Sequence, residues 1–196
     1  FPTRRSSDLG RSAWGRQLWQ RVQALTVPLI VDADALNLLA ETLGDTADAK
    51  VQERPWILTP HPGEAARLLD SDVQTIEQDR LAAARELTRR TGAVVVLKGA
   101  GSVIAHAGGV AIATGGNPGM ASGGMGDVLA GICGALVAQG VPVAQAAGVA
   151  VCWHAAAADR VARQQGYCAL LASDVSAVLG ELALGWDGSV QETSGD

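Results

Sequence analysis

Three short runs made wholly of apolar residues constrain this chain more than anything else in it. Pro28-Leu29-Ile30-Val31 stops at Asp32, Trp56-Ile57-Leu58-Thr59 leads into Pro60, and Val94-Val95-Val96-Leu97 stops at Lys98. A strand with one wet face alternates polar and apolar residues, whereas a strand covered on both faces has no need to, so these runs predict parallel strands buried between two layers. Helical patterns separate and follow them: Ala35 to Glu41, Pro62 to Leu69, and Glu77 to Arg90, the last with a Thr75/Gln78 capping box and Gly92 as its stop. The order β, α, β, α, β implies right-handed crossovers within one sheet.

Beyond the third run the pattern changes. Ser102 to His106 and Val110 to Ala113 read as a hairpin joined by Ala-Gly-Gly, after which helices are expected at Asp127 to Gln139, Pro142 to Gln164 and Ser173 to Leu184. The whole is an α/β fold with a doubly wound, mostly parallel sheet flanked by helices. At 196 residues and 48% hydrophobic content the chain is long enough for one well-buried core. Aromatics at 4% favour closely packed helices over an aromatic-rich sandwich. A net charge of −5 without a basic run argues against nucleic acid as a partner. The apolar stretch from Val141 to Ala158 is broken by Pro142, Gln145 and His154, and reads as a buried helix rather than a membrane span.

Cys133, Cys152 and Cys168 lack paired spacing and read as core thiols of a protein from a reducing, cytoplasmic compartment. Residues 1–9 are not a secretory signal and read as a non-native or disordered leader, and residues 187–196 as a disordered tail. Between them, residues 10–186 form the domain.

A doubly wound sheet binds ligands outside the carboxyl ends of its strands, and every polar cluster of interest follows a strand. Asp32 and Asp34 follow the first. Asp34 fits a helix cap, and Asp32 could act on a magnesium ion through water or substrate. Thr59-Pro60-His61-Pro62-Gly63-Glu64 follows the second. It serves as a turn, with Pro62 in the first helical turn and Glu64 at the positive helix end, yet two prolines also hold His61 rigid enough to touch a ligand. Lys98-Gly99-Ala100-Gly101-Ser102 follows the third, either as a solvated strand end or as a phosphate contact through one of only two lysines in the chain. His106 and His154 read as structural.

The fourth cluster is Asn117-Pro118-Gly119-Met120-Ala121-Ser122-Gly123-Gly124-Met125-Gly126-Asp127. Four glycines in eight residues free the backbone N–H groups, and Asp127 stands where an apolar helical pattern begins. The local pattern fits a helix cap, and beside a phosphate it also fits a general base. Three strand ends and one glycine loop thus have the means to converge on a single cleft.

In this order the segments Val31-Asp32-Ala33-Asp34-Ala35-Leu36-Asn37, Leu58 to Glu64, Leu97 to Ala100 and Gly116 to Leu129 resemble the ADP- or ATP-dependent NAD(P)H-hydrate dehydratases, the carboxyl-terminal domain of bifunctional nicotinamide-nucleotide repair proteins. The similarity runs from about Gly10 to about Gly185. It implies a ribokinase-like fold, here incomplete at the amino end. It implies repair of the S epimer of hydrated NADH or NADPH, by phosphorylation of the added hydroxyl from ADP or ATP and elimination of phosphate, with magnesium carried on the nucleotide. It also implies roles. Asp127 acts as base and contacts the hydrated dinucleotide with His61. Lys98, Gly99, Ala100, Gly101, Ser102, Gly124, Met125 and Gly126 hold the nucleotide, and no metal is held by protein ligands alone. A homo-oligomer is an expected assembly, without nucleic acid or membrane. Two rival readings share these residues: a ribokinase-like kinase of a vitamin precursor, and an inactive nucleotide-binding fragment.

Overall fold

Each apolar run forms a strand in the computed structural model, which describes residues 10, 12–43 and 54–184. The leader at 1–9 and the tail at 187–196 lie outside the described residues. Strands β1 (Leu29–Val31), β2 (Trp56–Leu58) and β3 (Val94–Leu97) pair in parallel, and β3 continues antiparallel into β4 (Val103–His106) and β5 (Gly109–Ile112). The sheet order follows the chain, β1-β2-β3-β4-β5. The hairpin turn is Ala107-Gly108 rather than Ala-Gly-Gly, and His106 Nδ1 accepts the Gly108 N–H at 3.0 Å.

Alternate residues of each strand face opposite layers, as the pleat requires. On one face Val31, Leu58, Val95, Leu97 and Val103 pack against α2 (Asp34–Leu43), α3 (Pro62–Leu69) and α5 (Arg80–Thr91). On the other, Ile57, Val94, Val96 and Ile104 meet α6 (Met125–Ala138) and α7 (Val143–Gln165). Residues such as Leu36, Ile57, Leu58 and Leu97 have less than 2% of their surface exposed. Each burial of that kind stabilises by roughly 1.5–3 kcal/mol. The helix α8 (Ala172–Leu184) closes a third cluster in which Met125 packs with Ala157, Ala158, Val161, Leu170 and Val175.

Four expectations change. The helix read as Glu77 to Arg90 is two helices, α4 (Val73–Gln78) and α5, because Asp72 and Asp79 each cap one: Asp72 accepts from the Thr75 N–H and Asp79 from the Ala82 N–H. The Thr75/Gln78 capping box does not form. Gly92 does end α5, with φ of 66°. Asp34 does not cap its helix; it is the first residue of α2, and its carboxylate accepts the Gly10 N–H at 2.9 Å. Of the three cysteines only Cys133 is in the core, where burial pushes its thiol up to about 12, while Cys152 and Cys168 are exposed. The helix α1 (Ala13–Val22), capped by Ser12, packs Trp19 edge-on to Trp56 at 5.9 Å and has no counterpart in the sequence reading.

Candidate active site

The carboxyl ends of β1, β2 and β3 meet through a small set of contacts. The Lys98 N–H donates to the Pro60 carbonyl at 2.8 Å and the Thr59 N–H to the Val31 carbonyl at 3.1 Å, which ties the three ends side by side. Lys98 Nζ then lies 2.8 Å from Asp32 Oδ1 and 3.9 Å from Glu64 Oε2. Lys98 is therefore an ion-paired, partly buried cation, not a solvated strand end. An ammonium that already has a carboxylate partner is held in place at modest cost and remains available to a second anion.

His61 caps α3. Its Nδ1 accepts the Gly63 N–H at 2.9 Å, Glu64 Oε2 accepts the His61 N–H at 2.8 Å, and Pro62 occupies the first helical position. The Pro-His-Pro rigidity thus has a local cause. The ring is still half exposed, and Glu64, 7% exposed, links this cap to Lys98.

The glycine loop lies over the same pair. Asn117 opens a 3-10 turn (Pro118–Ala121), its Oδ1 accepting the Gly119 N–H at 3.1 Å. Gly124, at φ of 88°, is the N-cap of α6 and supplies no side chain to the helix end. Asp127 is accordingly the third helical residue rather than the cap. The first intrahelical bond comes from the Val128 N–H. The N–H groups of Met125, Gly126 and Asp127 donate to nothing among the described residues, leaving the positive helix end open to an anion. A Cβ on Gly126 would stand 3.2 Å from Asp32 Oδ2 and 3.4 Å from Lys98 Nζ. Asp127 is exposed and makes no hydrogen bond or ion pair with the described residues. Met125 differs from expectation in one respect: its backbone faces this end while its side chain, 4% exposed, anchors the loop in the third core cluster.

The loop after β3 is polarised. The carbonyls of Leu97, Gly99, Ala100 and Ser102 all accept hydrogen bonds, whereas the N–H groups of Gly99, Ala100, Gly101 and Ser102 donate to nothing among the described residues. Gly99 and Gly101 have φ of 152° and 68°, a backbone course that favours glycine.

Two residues of this region have no role in the sequence reading. Asp159, on α7, accepts from the Gly116 N–H at 3.1 Å and from Asn117 Nδ2 at 2.8 Å, and so holds the start of the glycine loop. Its signal was an acid standing alone after four alanines. Arg80 binds the carbonyls of the β3 loop. A cleft of about 640 Å³ lies at the opposite end of the sheet, lined among others by Arg54, Arg85, Arg89 and His106. Chemistry favours the strand ends instead: Arg89 is occupied by Glu86, and Arg54 lies over the Trp56 ring.

The close packing of the loop makes a testable point. A Cβ on Gly119 would stand 2.5 Å from the Tyr167 carbonyl oxygen and 3.1 Å from Leu170 Cβ, so Gly119→Ala forces backbone apart. The expected cost is about 1–3 kcal/mol, or a fall of several degrees in melting temperature. An unchanged melting curve would remove the packing role assigned to Gly119.

Among the described residues no helix is long and apolar enough to cross a membrane, and no group of three or more His, Cys, Asp or Glu side chains is placed to hold a metal. The bifunctional NAD(P)H-hydrate repair enzyme of Vibrio cholerae is 50% identical over 174 residues, covering 89% of this chain and 34% of that protein. The chain thus spans about a third of the length of that relative. The ADP/ATP-dependent NAD(P)H-hydrate dehydratase of Bacillus subtilis, co-crystallised with ATP and magnesium, superposes with a TM-score of 0.76 at 30% identity, over 89% of this chain and 60% of that one. A ribokinase-like superfamily protein of Enterococcus faecalis gives the same TM-score at 32% identity, over 90% of this chain and 60% of that one. The fold is ribokinase-like. Residues 7–180 match the NAD(P)H-hydrate dehydratase family, and with these likenesses the chain belongs to that family.

Proposed function

We propose that this chain carries out the ADP- or ATP-dependent dehydration of the S epimer of hydrated NADH or NADPH. The observation that supports this best is two sets of unpartnered amides, 125–127 beside the Lys98 ammonium and 99–102 directly after Lys98 in the chain. Such a site fits a phosphate chain and charge developing on a transferring phosphoryl group. Lys98, Gly99, Ala100, Gly101 and Ser102 hold the nucleotide, with Gly124, Met125 and Gly126 at the phosphoryl group. Asp127 takes the proton from the substrate hydroxyl as that oxygen bonds to phosphorus and the bond to the leaving nucleotide breaks. Loss of phosphate by C–O cleavage, with a proton leaving the neighbouring ring carbon, then restores the ring double bond. The exposed edge of His61 contacts the dinucleotide.

The donors present fit a magnesium ion that arrives on phosphates. Asp32 and Glu64 offer hard carboxylate oxygens beside Lys98 without forming a complete protein cage. Magnesium bound there would neutralise phosphate charge.

The test is recovery of reduced-nicotinamide absorbance from enzymatically hydrated NADH, with this chain, magnesium and ADP or ATP, against a control without nucleotide. Nucleotide-dependent recovery is expected. Accumulation of a stable phosphorylated product would favour a kinase, and nucleotide binding without recovery would favour a non-catalytic module.

A further inference from the structure

Arg80 is the first residue of α5, where the positive end of the helix disfavours a cation, and Asp79 already caps that end. Its guanidinium is engaged elsewhere. Nη1 donates to the Ala100 carbonyl at 2.6 Å and Nη2 to the Leu97 carbonyl at 3.2 Å, with Glu77 Oε2 at 3.8 Å from Nε and only 16% of the side chain exposed. The fit is close: a Cβ on Gly99 would lie 2.6 Å from Nη2.

These two bonds determine which way the loop's amides face. In a trans peptide the N–H points opposite to the C=O of the same unit. Fixing the Ala100 carbonyl on Arg80 therefore turns the Gly101 N–H away from the guanidinium. The Leu97 carbonyl shares a peptide unit with the Lys98 N–H, which donates to Pro60, so that unit is held at both ends and carries the Lys98 side chain. Ser102 Oγ fixes the Gly99 carbonyl at 3.3 Å and so orients the Ala100 N–H. A planar fork can hold two carbonyls at once, which a single ammonium does with less geometric control.

We propose that Arg80 is a positioning residue for the nucleotide: it grips the carbonyls of the β3 loop and preforms the outward array of N–H groups that receives phosphate. This rests on the reading of residues 98–102 as the nucleotide loop. In this role Arg80 acts through the loop carbonyls that hold its guanidinium, so its loss should act on nucleotide affinity and leave the KM for the hydrated dinucleotide nearly unchanged.

The experiment is calorimetric titration of the 196-residue chain with ADP and magnesium for the unmodified protein, Arg80→Met and Arg80→Lys, with amide hydrogen exchange of the three central strands as a check on folding. Arg80→Met is expected to weaken ADP binding by about tenfold to a hundredfold while β2, β3 and β4 stay protected, and Arg80→Lys to recover part of that loss. Where Arg80→Met loses strand protection, Gly99→Ala attacks the same contact from the loop side and is expected to weaken binding as well. Undiminished ADP affinity in Arg80→Met, or in Gly99→Ala where the first variant is unfolded, would overturn the role of Arg80 alone. Failure of the unmodified chain to bind ADP would overturn both that role and the nucleotide-loop reading beneath it.

Discussion

Replacing Asp127 with asparagine is expected to lower turnover of hydrated NADH by about a hundredfold to ten-thousandfold, the contribution of a positioned general base. The change is nearly isosteric and removes the carboxylate's negative charge and with it the ability to accept a proton. The proposed acceptor site for the nucleotide should survive, because the groups assigned to it are backbone N–H groups of 99–102 and 125–127 and the Lys98 ammonium, with which the Asp127 carboxylate makes no hydrogen bond or ion pair. No hydrogen bond or ion pair to the described residues is lost either, since the carboxylate makes none. The cost to folding is then limited to a weaker interaction with the positive helix end, about 0.3–1 kcal/mol. The discriminating result is a split: kcat falls while the ADP dissociation constant measured by calorimetry stays put. Turnover at the unmodified rate would end the assignment of Asp127 as base, and a parallel loss of ADP binding would show that the loop depends on its side chain.

How far these features were legible in the sequence depends on the distance over which each is determined. The strands were readable because a run such as Val94 to Leu97 is buried at every position and its apolar character is uninterrupted. The start of α3 was readable because Pro62 and Glu64 carry local signals. The break between α4 and α5 was missed although Asp72 and Asp79 are both good caps, since a helical apolar pattern runs across the junction and conceals the second start. At Asp127 the structure settles only the register of the helix start. The local pattern fits both a cap and a base there, and the cap is instead Gly124, at φ of 88° and three residues before the acid, which leaves Asp127 free of capping.

The site itself was legible where it is made of strand ends and illegible where it is made of supports. Asp32, His61 and Lys98 announce themselves by type and position after strands and Gly126 by its glycine-rich loop, and the structure pairs Asp32 with Lys98 and lays Gly126 so close that an added Cβ would meet both. The Asp32–Lys98 pair spans 66 residues, which no local pattern encodes. Arg80 and Asp159 are harder still. Arg80 binds backbone carbonyls 17 and 20 residues away, and Asp159 binds a backbone N–H 43 residues away beside the Asn117 side-chain amide; a backbone carbonyl or N–H leaves no trace in the residue alphabet.

His154 makes stability depend on acid in a way the sequence hinted at only by placing a histidine on an apolar helix. It lies within α7, is 5% exposed, and its Nε2 has no hydrogen-bond partner among the described residues. Burial lowers its pKa from 6.5 to about 4, since a charged imidazolium there would lose its hydration without gaining a counter-charge. The unfolded chain therefore binds a proton below about 6.5 that the folded chain does not accept until about 4. The contribution is fully present above the unfolded value and is lost as pH falls through that window, reaching on the order of 3 kcal/mol. Urea unfolding of the unmodified chain should accordingly show stability falling between pH 6.5 and 4, and His154→Leu should flatten that part of the profile, because a leucine of similar volume has no proton to take up. The carboxylates give a separate slope in the same acid range, so the informative quantity is the difference between the two proteins at each pH. A difference that stays constant from pH 7 to pH 4 would mean that the folded state accommodates the imidazolium, and that α7 admits water at His154.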